Sequence, residues 1–345
     1  MKVSKIELIP YEVALRKPVR MGTVELRGRE GILVRVESAR GAVGWGDAAP
    51  LPGFSRESLD QVRKELEERS ARPVQHEIGS AADLFMWAST LTRLSPSAMF
   101  AVESAVAGAA ALEASQSLGV WLFGFSSDRC ALSALVIEPP EQWAQRAREC
   151  FEAGYSTVKF KVGRAAIAEE VAASRAAVAA APGLQFRFDA NRAWSAAEAL
   201  TFARGVAGLP VEYIEEPFAN SRELPAGWPA DVRIAWDETL HNGEALPVFE
   251  RHVSAWVLKP SLVGGLSRSV QLARHARRCG CRAVFSAAYE SGVGIRVLAE
   301  LAATTGSAAG LDTYSLLAED VLVPRLAMGR GEIDLALARR SVVKA

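Results

Sequence analysis

The sequence predicts an α/β protein in which a closed barrel of parallel strands follows a smaller α+β domain. Two observations favour this fold class. From about residue 131, short apolar strands alternate with helical stretches rich in Ala, Arg and Glu, at intervals of about 25 residues. Eight such strands can be counted, and eight parallel strands joined by helices close a barrel. The chain of 345 residues is long enough for two domains, and its first hundred residues lack this alternation.

The N-terminal region has the order of strands followed by helices that is typical of α+β domains. Residues 3–13 and 31–37 alternate between apolar and polar side chains, as antiparallel strands do. Residues 16–30 lie between them and are rich in charge and glycine without an apolar period, so we expect a mobile loop there. Helices are expected at residues 55–70, 80–93 and 97–118.

A doubly wound open sheet is the alternative to the barrel. That fold usually carries a glycine-rich phosphate turn after its first strand, and none follows Ile137. We therefore favour the barrel. Its candidate strands are residues 131–137, 157–162, 185–189, 212–215, 233–237, 255–259, 282–286 and 310–313.

Composition excludes several classes of function. The chain has 40 Lys and Arg against 40 Asp and Glu, so it has no net charge to attract nucleic acid or an anionic membrane. No apolar run approaches the roughly 18–20 residues that span a bilayer, and residues 1–5 do not lead into a signal peptide. The four cysteines lack the spacing of a zinc site. We expect a cytoplasmic protein with no nucleic-acid or membrane partner, and the oligomeric state stays open.

Three acidic residues end three consecutive candidate strands at intervals of 26 and 22 residues, namely Asp189, Glu215 and Asp237. Charges at the C-terminal ends of barrel strands indicate an active site. Carboxylates without His or Cys suit a hard divalent cation, so we expect one Mg²⁺, with Mn²⁺ as a substitute. The alternative is that these acids form ion pairs with lysines across the barrel. Glu216 and Glu238 should face away from the site and be structural.

The lysines near these acids have the properties of proton-transfer groups. Side chains alternate along a strand, so Lys159 and Lys161 share the face that points to the barrel axis. A metal in contact with a substrate carboxylate stabilises the enediolate that forms when the α-proton leaves. Lys161 lies nearer the strand end and should transfer the proton, while Lys159 lowers its pKa and contacts a substrate oxygen. Lys259, 22 residues after Asp237, should approach from the opposite side.

Taken together with several motifs, these residues resemble the enolase superfamily, in particular its muconate-lactonising subgroup and, within it, the o-succinylbenzoate synthase family. The likeness extends from about residue 3 to residue 320. The motifs that carry it are GWGD at 44–47, PLPGFS at 50–55, RFDANRAW at 187–194, AWDE at 235–238, KP at 259–260 and SAAYESGVG at 286–294.

The resemblance implies an enolase-like fold, in which an α+β capping domain of residues 1–115 closes over a (β/α)7β TIM-like barrel of residues 116–319. The tail, residues 320–345, would return to the cap. The implied activity is that of a lyase, which uses Mg²⁺ to dehydrate a succinyl-hydroxycyclohexadiene carboxylate to o-succinylbenzoate in menaquinone biosynthesis. Lys161 would take the α-proton and return it to the departing hydroxyl, and Lys259 would stabilise the enediolate from the other face through a cation–π contact.

The resemblance also implies which residues contact the substrate. The candidates are Arg27, Arg29, Asn191, Ser286, Ser291 and Gly292. Residues 16–30, with Arg27 or Arg29, would form a lid over the substrate, the alternative being an ordinary solvated loop. Ser286 and the backbone near Ser291 would hold the succinyl carboxylate, the alternative being simple packing in the barrel.

Other activities of the superfamily stay open at this point. A racemase of N-succinylamino acids needs bases on both faces of its substrate, and Lys161 and Lys259 supply two. Dipeptide epimerases carry an Asp-x-Asp pair on the eighth strand, where this chain has only Asp312. Muconate-type cycloisomerisation is a third option. A binding or scaffold barrel belongs to another class, and it would neither bind Mg²⁺ nor exchange protons.

Overall fold

The computed structural model describes residues 1–21, 24–72, 74, 76–220, 224–241 and 251–344. An antiparallel sheet with its helices comes first in the chain, and a barrel of parallel strands follows it. This is the order that the sequence predicts.

The N-terminal part is a three-stranded antiparallel sheet covered by helices. Its strands, in spatial order, are β1 (Val3–Met21), β2 (Val24–Ser38) and β3 (Val43–Ala48). The helices that follow are α1 (Leu59–Ser70), α2 (Ala81–Ala88) and α3 (Pro96–Glu113). The alanine-rich α3 is buried over most of its length because it lies between this sheet and the barrel.

Two glycines of β3 allow α3 to approach the sheet closely. A β-carbon on Gly46 would lie 1.8 Å from the carbonyl oxygen of Ala101, and one on Gly44 would lie 1.9 Å from that of Ala105. Both neighbours are helix backbone, which cannot rotate aside as a side chain would. The GWGD motif is therefore a packing feature of the capping sheet as well as a sequence signature.

We expect Gly46→Ala to destabilise the fold by about 1–3 kcal/mol or more, because the added methyl group forces helix and sheet apart. Thermal unfolding followed by circular dichroism measures the loss. Gly329→Ala is the matched control, because a β-carbon there meets nothing within 4 Å. An unfolding temperature that is the same in both variants would contradict this account of the close approach.

Residues 16–30 are not the loop that the sequence predicted. The strands β1 and β2 run through almost the whole segment and form the end of a long hairpin. Val19 pairs with Leu26, whose side chain is buried. The alternation of residues 24–27 is too short to be recognised among the surrounding charges and glycines, which is why the sequence pattern missed it.

Seven parallel strands form the wall of the barrel, and each except the last is paired with the strand that follows it in the chain. Before them come the helix α4 (Leu118–Phe123) and the short strand β4 (Arg129–Ala131). The barrel strands are β5 (Ser133–Val136), β6 (Thr157–Lys161), β7 (Gln185–Asp189), β8 (Val211–Glu215), β9 (Ile234–Trp236), β10 (Val253–Leu258) and β11 (Arg282–Phe285). The helices between and after them are α5 (Trp143–Glu152), α6 (Ile167–Ala180), α7 (Ala196–Val206), α8 (Pro260–Val263), α9 (Leu266–Arg278) and α10 (Gly292–Ala302).

Two isolated bridges close the barrel between its first and seventh strands. Ser286 pairs with Gly310, and Leu132 pairs with Ala309. The predicted eighth strand is thus reduced to these bridges, and the chain continues as the 3₁₀ turn Asp312–Leu316. The (β/α)7β architecture is confirmed.

The apolar and charged residues of each strand separate as the alternation predicts. Phe160 and Phe186 stack outside the barrel with ring centroids 5.9 Å apart, and Trp143 of α5 lies 4.9 Å from Phe160. Inside, Tyr213 belongs to a second apolar cluster with residues of β9, β10 and β11 that fills the barrel. The interior is therefore packed below the strand ends, and charged side chains remain at the C-terminal mouth.

The C-terminal tail packs on the barrel, whereas the sequence predicted that it would return to the cap. Its elements are β12 (Leu322–Val323), β13 (Met328–Gly329), β14 (Glu332–Asp334), α11 (Leu335–Ala338) and β15 (Val342–Val343). The strand β14 pairs with β4, and Arg339 donates hydrogen bonds to Glu300 of α10 and to Asp128. The cap instead touches the chain just before the tail, where Leu15 bridges Leu317. The tail lies on the barrel because its strand β14 pairs with the edge of β4. The spacing of residues in the sequence does not reveal such pairing between distant segments.

Among the described residues, no helix combines the length and the apolar composition that crossing a bilayer requires.

Candidate active site

Strand register brings the charged residues to the same level of the barrel. Lys161 of β6 pairs with Asp189 of β7, which in turn pairs with Glu215 of β8. Asp237 directly follows β9. The side chains of all three acids are fully buried. The predicted carboxylates therefore surround the C-terminal mouth of the barrel.

Each of these carboxylates is bonded to a lysine. The ammonium of Lys159 lies 3.2 Å from Asp189 and 3.1 Å from Glu215. Lys161 Nζ lies 2.5 Å from Asp189, and Lys259 donates to Asp237. The ion pairs that the sequence left as an alternative are thus present. Within the described ranges, no three His, Cys, Asp or Glu residues are arranged as a ready-made metal site.

Glu215 is the least well compensated of the three acids. Burial and the negative charge of Asp189 raise its pKa to about 8, although Lys159 opposes the shift. A carboxyl group that holds its proton at neutral pH inside a cluster of acids indicates a shortage of positive charge. A divalent cation would supply that charge.

The other two acids are ionised because lysines adjoin them. Burial acts to raise the pKa of Asp189, but the charges of Lys161 and Lys159 outweigh it and hold the pKa below the usual range. The same balance of burial against Lys259 lowers the pKa of Asp237. Two ionised carboxylates and a third that can ionise form an all-oxygen donor set, and this set fits a hard divalent cation.

The two lysines of β6 differ in their pKa. Burial and the neighbouring charge of Lys159 lower the pKa of Lys161, despite its bond to Asp189. Lys159 is also buried, but Glu215 and Asp189 outweigh burial and raise its pKa. Lys161 is therefore the residue that loses a proton more readily, which is the property that a general base needs.

Lys259 stays charged on the far side of the mouth. Burial disfavours its charge, yet Asp237 and Glu238 outweigh burial and raise the pKa of Lys259. A permanently charged ammonium facing Lys161 across the cavity can stabilise a developing negative charge.

A cavity of about 550 Å³ opens above these residues. Its floor includes Lys159, Lys161 and Lys259, and its upper wall comes from the cap. The cap residues that line it are Pro18, Val19, Arg20, Leu51 and Phe54. The hairpin end therefore contributes to the cavity as a lid would, but through residues other than the predicted arginines.

Neither predicted lid arginine lines the cavity. Arg27 is largely exposed and pairs with Glu25, because its side chain lies on the solvent face of the hairpin. Arg29 is 2% exposed, and it donates hydrogen bonds to the carbonyl oxygens of Ala49, Pro50 and Tyr289. Three of its donors are engaged by backbone carbonyl groups, so Arg29 joins the cap to the barrel.

The predicted holders of the succinyl carboxylate are also placed differently. Ser291 donates from its backbone and hydroxyl to Asp47, at 2.8 Å each, and the Gly292 amide donates to Asp320. Neither residue lines the cavity. Ser286 does line it, with its hydroxyl donated to the carbonyl of Gly310 at 3.1 Å. The sequence could not show that Asp47 and Asp320 accept the hydrogen bonds of these two amides.

Asn191 lines the cavity and contacts the candidate base. Its amide oxygen accepts a hydrogen bond from Lys161 at 2.7 Å, and its amide nitrogen donates to Glu238 at 3.1 Å. Glu238 therefore faces the site, contrary to the prediction, because it lies in a 3₁₀ turn where strand alternation does not apply. Glu216 is structural as predicted, since it accepts hydrogen bonds from the backbone of Asp237 and Thr239.

Sequence reasoning missed two residues near the site. His241 Nε2 lies 3.2 Å from Asp237, on the turn four residues further along. Tyr289 lines the cavity from the loop after β11. The spacing of four residues could have indicated His241, and Tyr289 is the one aromatic residue of the SAAYESGVG motif.

The fold and this site define a class of protein, the capped α/β-barrel enzymes that act on carboxylates. Comparison with known proteins specifies the family. Residues 142–336 match the family model described as enolase C-terminal domain-like, and residues 3–109 match the one described as MenC, N-terminal domain. The o-succinylbenzoate synthase of Pasteurella multocida is 32% identical over 339 residues, which cover 93% of each chain. The chain thus belongs to the o-succinylbenzoate synthase family of the enolase superfamily.

Solved structures agree with this fold. The L-Ala-D/L-Glu epimerase from Bacillus subtilis, solved with its substrate, is 26% identical, with a TM-score of 0.82 over 97% of this chain and 96% of that one. A dipeptide epimerase from Enterococcus faecalis, complexed with Mg and the dipeptide L-Leu-L-Tyr, has a TM-score of 0.82 at 20% identity, with 97% of each chain covered.

Proposed function

We propose that this protein is an o-succinylbenzoate synthase. It would dehydrate 2-succinyl-6-hydroxy-2,4-cyclohexadiene-1-carboxylate to o-succinylbenzoate, a step of menaquinone biosynthesis. The observation that carries the proposal is the pair of opposed lysines, Lys161 and Lys259, beside three buried carboxylates. The chain is similar to such a synthase over 93% of its length.

Asp189, Glu215 and Asp237 are the residues that would hold one Mg²⁺, and Mn²⁺ has the same preference for oxygen ligands. When bound, the cation would supply positive charge next to the substrate's carboxylate. The buried, all-oxygen donor set and the raised pKa of Glu215 support this assignment. Glu215 would hold the cation as a carboxylate and would give up its proton to do so.

Lys161 would carry the proton in both halves of the reaction. As a neutral amine it takes the α-proton, and the carbon–hydrogen bond breaks. As an ammonium it returns that proton to the hydroxyl group, which departs as water when the carbon–oxygen bond breaks and the ring becomes aromatic. The lowered pKa of Lys161 favours the neutral starting form. Asn191 would orient the amine through its 2.7 Å contact.

The two other lysines would act through their charge. Lys159 lies between Asp189 and Glu215 and would repel a proton from Lys161 while contacting a substrate oxygen. Lys259 would face the ring from the opposite side, where its charge stabilises the anion that forms on deprotonation. The cap residues above the cavity would exclude water.

Racemisation of N-succinylamino acids is the second candidate function, because two opposed lysines can serve as two bases. Dipeptide epimerisation is disfavoured by the state of Asp312. Its carboxylate accepts a hydrogen bond from the Leu135 amide at 2.9 Å and contacts the Tyr155 hydroxyl at 3.5 Å. It therefore has less capacity left to bind a substrate ammonium, and the chain offers no second acid beside it.

An assay of the purified protein with both substrates tests this proposal. We expect dehydration of the cyclohexadiene acid in the presence of Mg²⁺, followed by the change in ultraviolet absorbance as the aromatic product forms. Deuterium uptake by N-succinylamino acids in D₂O is the parallel measurement. Uptake without any dehydration would overturn the synthase assignment in favour of the racemase.

A further inference from the structure

We propose that Tyr289 is a specificity-determining residue, whose hydroxyl group donates a hydrogen bond to the carboxylate on the side arm of the substrate. The inference deepens the proposed function and rests on it. In the synthase reaction this arm is the succinyl group, which carries the second negative charge of the substrate. The role follows from the backbone of Tyr289, from a hydroxyl group that has no hydrogen-bond partner among the described residues, and from the charges around it.

The backbone of Tyr289 is held in an unfavourable conformation. Its φ of 63° lies in the left-handed region, where a bulky residue is rare and strained. Such strain persists only where the surroundings impose it, and it is concentrated at functional sites. A residue without a role at this position would be expected to be glycine.

Three buried charged residues impose this conformation. Arg29 donates to the carbonyl oxygen of Tyr289 at 3.1 Å. On either side of the tyrosine, the Ala288 amide donates to Glu290 at 2.6 Å and the Ser291 amide donates to Asp47 at 2.8 Å. Arg29 and Asp47 come from the cap, so the position of Tyr289 depends on how the cap docks on the barrel.

The hydroxyl group of Tyr289 is free to bind a ligand. The side chain lines the cavity and is 7% exposed, and its hydroxyl makes no hydrogen bond to the described part of the protein. Two other buried or partly buried tyrosines differ in this respect, since Tyr11 donates to Asp47 and Tyr314 donates to Asp320. Burial keeps the pKa of Tyr289 above its usual value, so the group remains a donor at neutral pH.

The surroundings of this hydroxyl group favour an anion. Lys259, Arg164 and Lys159 line the same cavity as Tyr289, and their positive charges, together with that of Arg29, act to lower the pKa of this hydroxyl group. The reacting carboxylate belongs on the side of Lys159 and the three acids. The carboxylate of the side arm is therefore the group that Tyr289 would bind. Ser291 and the Gly292 amide cannot bind it, because they donate to Asp47 and Asp320.

Binding of the product tests the inference without reference to catalysis. Calorimetry with Mg²⁺-loaded protein compares o-succinylbenzoate with its ester methylated on the succinyl carboxylate. We expect the wild type to prefer the free acid by about 10- to 100-fold, as a hydrogen bond to a charged group provides. Tyr289→Phe keeps the ring and should lose most of that preference. In turnover, KM should rise more than kcat falls.

The matched control is Tyr314→Phe, which removes a buried hydroxyl outside the cavity and should keep the preference for the acid. The inference would be overturned if Tyr289→Phe kept the full preference for the free acid over the ester. It would also be overturned if this variant lost equal affinity for the acid and the ester. Turnover of the cyclohexadiene acid by the wild-type protein tests the proposed function separately. If the wild type turns it over, the proposed function stands whatever the result for Tyr289→Phe. If it does not, the proposed function is wrong.

Discussion

Lys161→Ala should abolish dehydration, with kcat reduced by about 10⁴-fold, because the variant has no group to take the α-proton or to return it to the departing hydroxyl. The 2.7 Å contact with Asn191 and the lowered pKa make Lys161 the best-placed base of the three lysines. Steady-state turnover of the cyclohexadiene acid is the measurement. Because the lysine is paired with Asp189, circular dichroism should accompany it to establish that the variant is folded.

Lys161→Arg is the matched control for charge. An arginine keeps the positive charge beside Asp189 but does not give up its proton in a protein, so it cannot act as a base. We expect this variant to be as inactive as Lys161→Ala. Substantial activity in Lys161→Arg would mean that Lys161 acts only through its charge, and the base would have to be sought elsewhere.

Lys259→Ala should lower kcat by about 10²–10³-fold, the loss that follows removal of one well-placed electrostatic donor. Lys259 is permanently charged, pairs with Asp237 and faces Lys161 across the cavity. In the synthase it transfers no proton, so Lys259→Arg should recover a large part of the lost rate. Turnover measured at saturating substrate and Mg²⁺ provides the comparison.

The same pair of variants separates the two candidate functions. A racemase would need Lys259 as a second base, and arginine could not replace it. Racemisation of N-succinylamino acids that is lost in both variants, together with no dehydration by the wild type, would contradict the synthase account and identify Lys259 as the second base.

The fold and the centre of the site follow from local patterns in the sequence. Strands buried on both sides have little reason to carry charge, so the charged ends of β6, β7 and β8 marked the barrel mouth. Alternation then fixed which side chains point inward, and the register confirms that Lys161, Asp189 and Glu215 lie at one level. Because each of these inferences uses neighbours in the chain, no knowledge of tertiary contacts was needed.

The remainder of the site depends on contacts between residues far apart in the sequence. Arg29 is engaged by carbonyl groups 20, 21 and 260 residues away, and these contacts link the cap to the barrel. Asp47 similarly occupies the amide of Ser291, 244 residues further on. The strain at Tyr289 results from the same interface, and no periodicity of the sequence encodes it.

The lysine–carboxylate pairs and the proposed metal site are two states of one cluster. Burial lowers the pKa of Lys161 and raises that of Glu215, so both groups are less readily charged than the pairs Lys159–Asp189 and Lys259–Asp237 beside them. A divalent cation would replace the proton of Glu215, so its apparent affinity should rise with pH until about pH 8. A purely structural set of ion pairs would gain nothing from the cation.

The effect of Mg²⁺ on thermal stability tests this central claim most directly. A ligand at 100 times its dissociation constant stabilises the native state by about 2.7 kcal/mol. Mg²⁺ should therefore raise the unfolding temperature of chelator-treated protein by several degrees, and the rise should disappear in Asp237→Asn but persist in Glu152→Gln, which changes an exposed acid of α5. No rise in the wild type, or an equal rise in Asp237→Asn, would contradict the account.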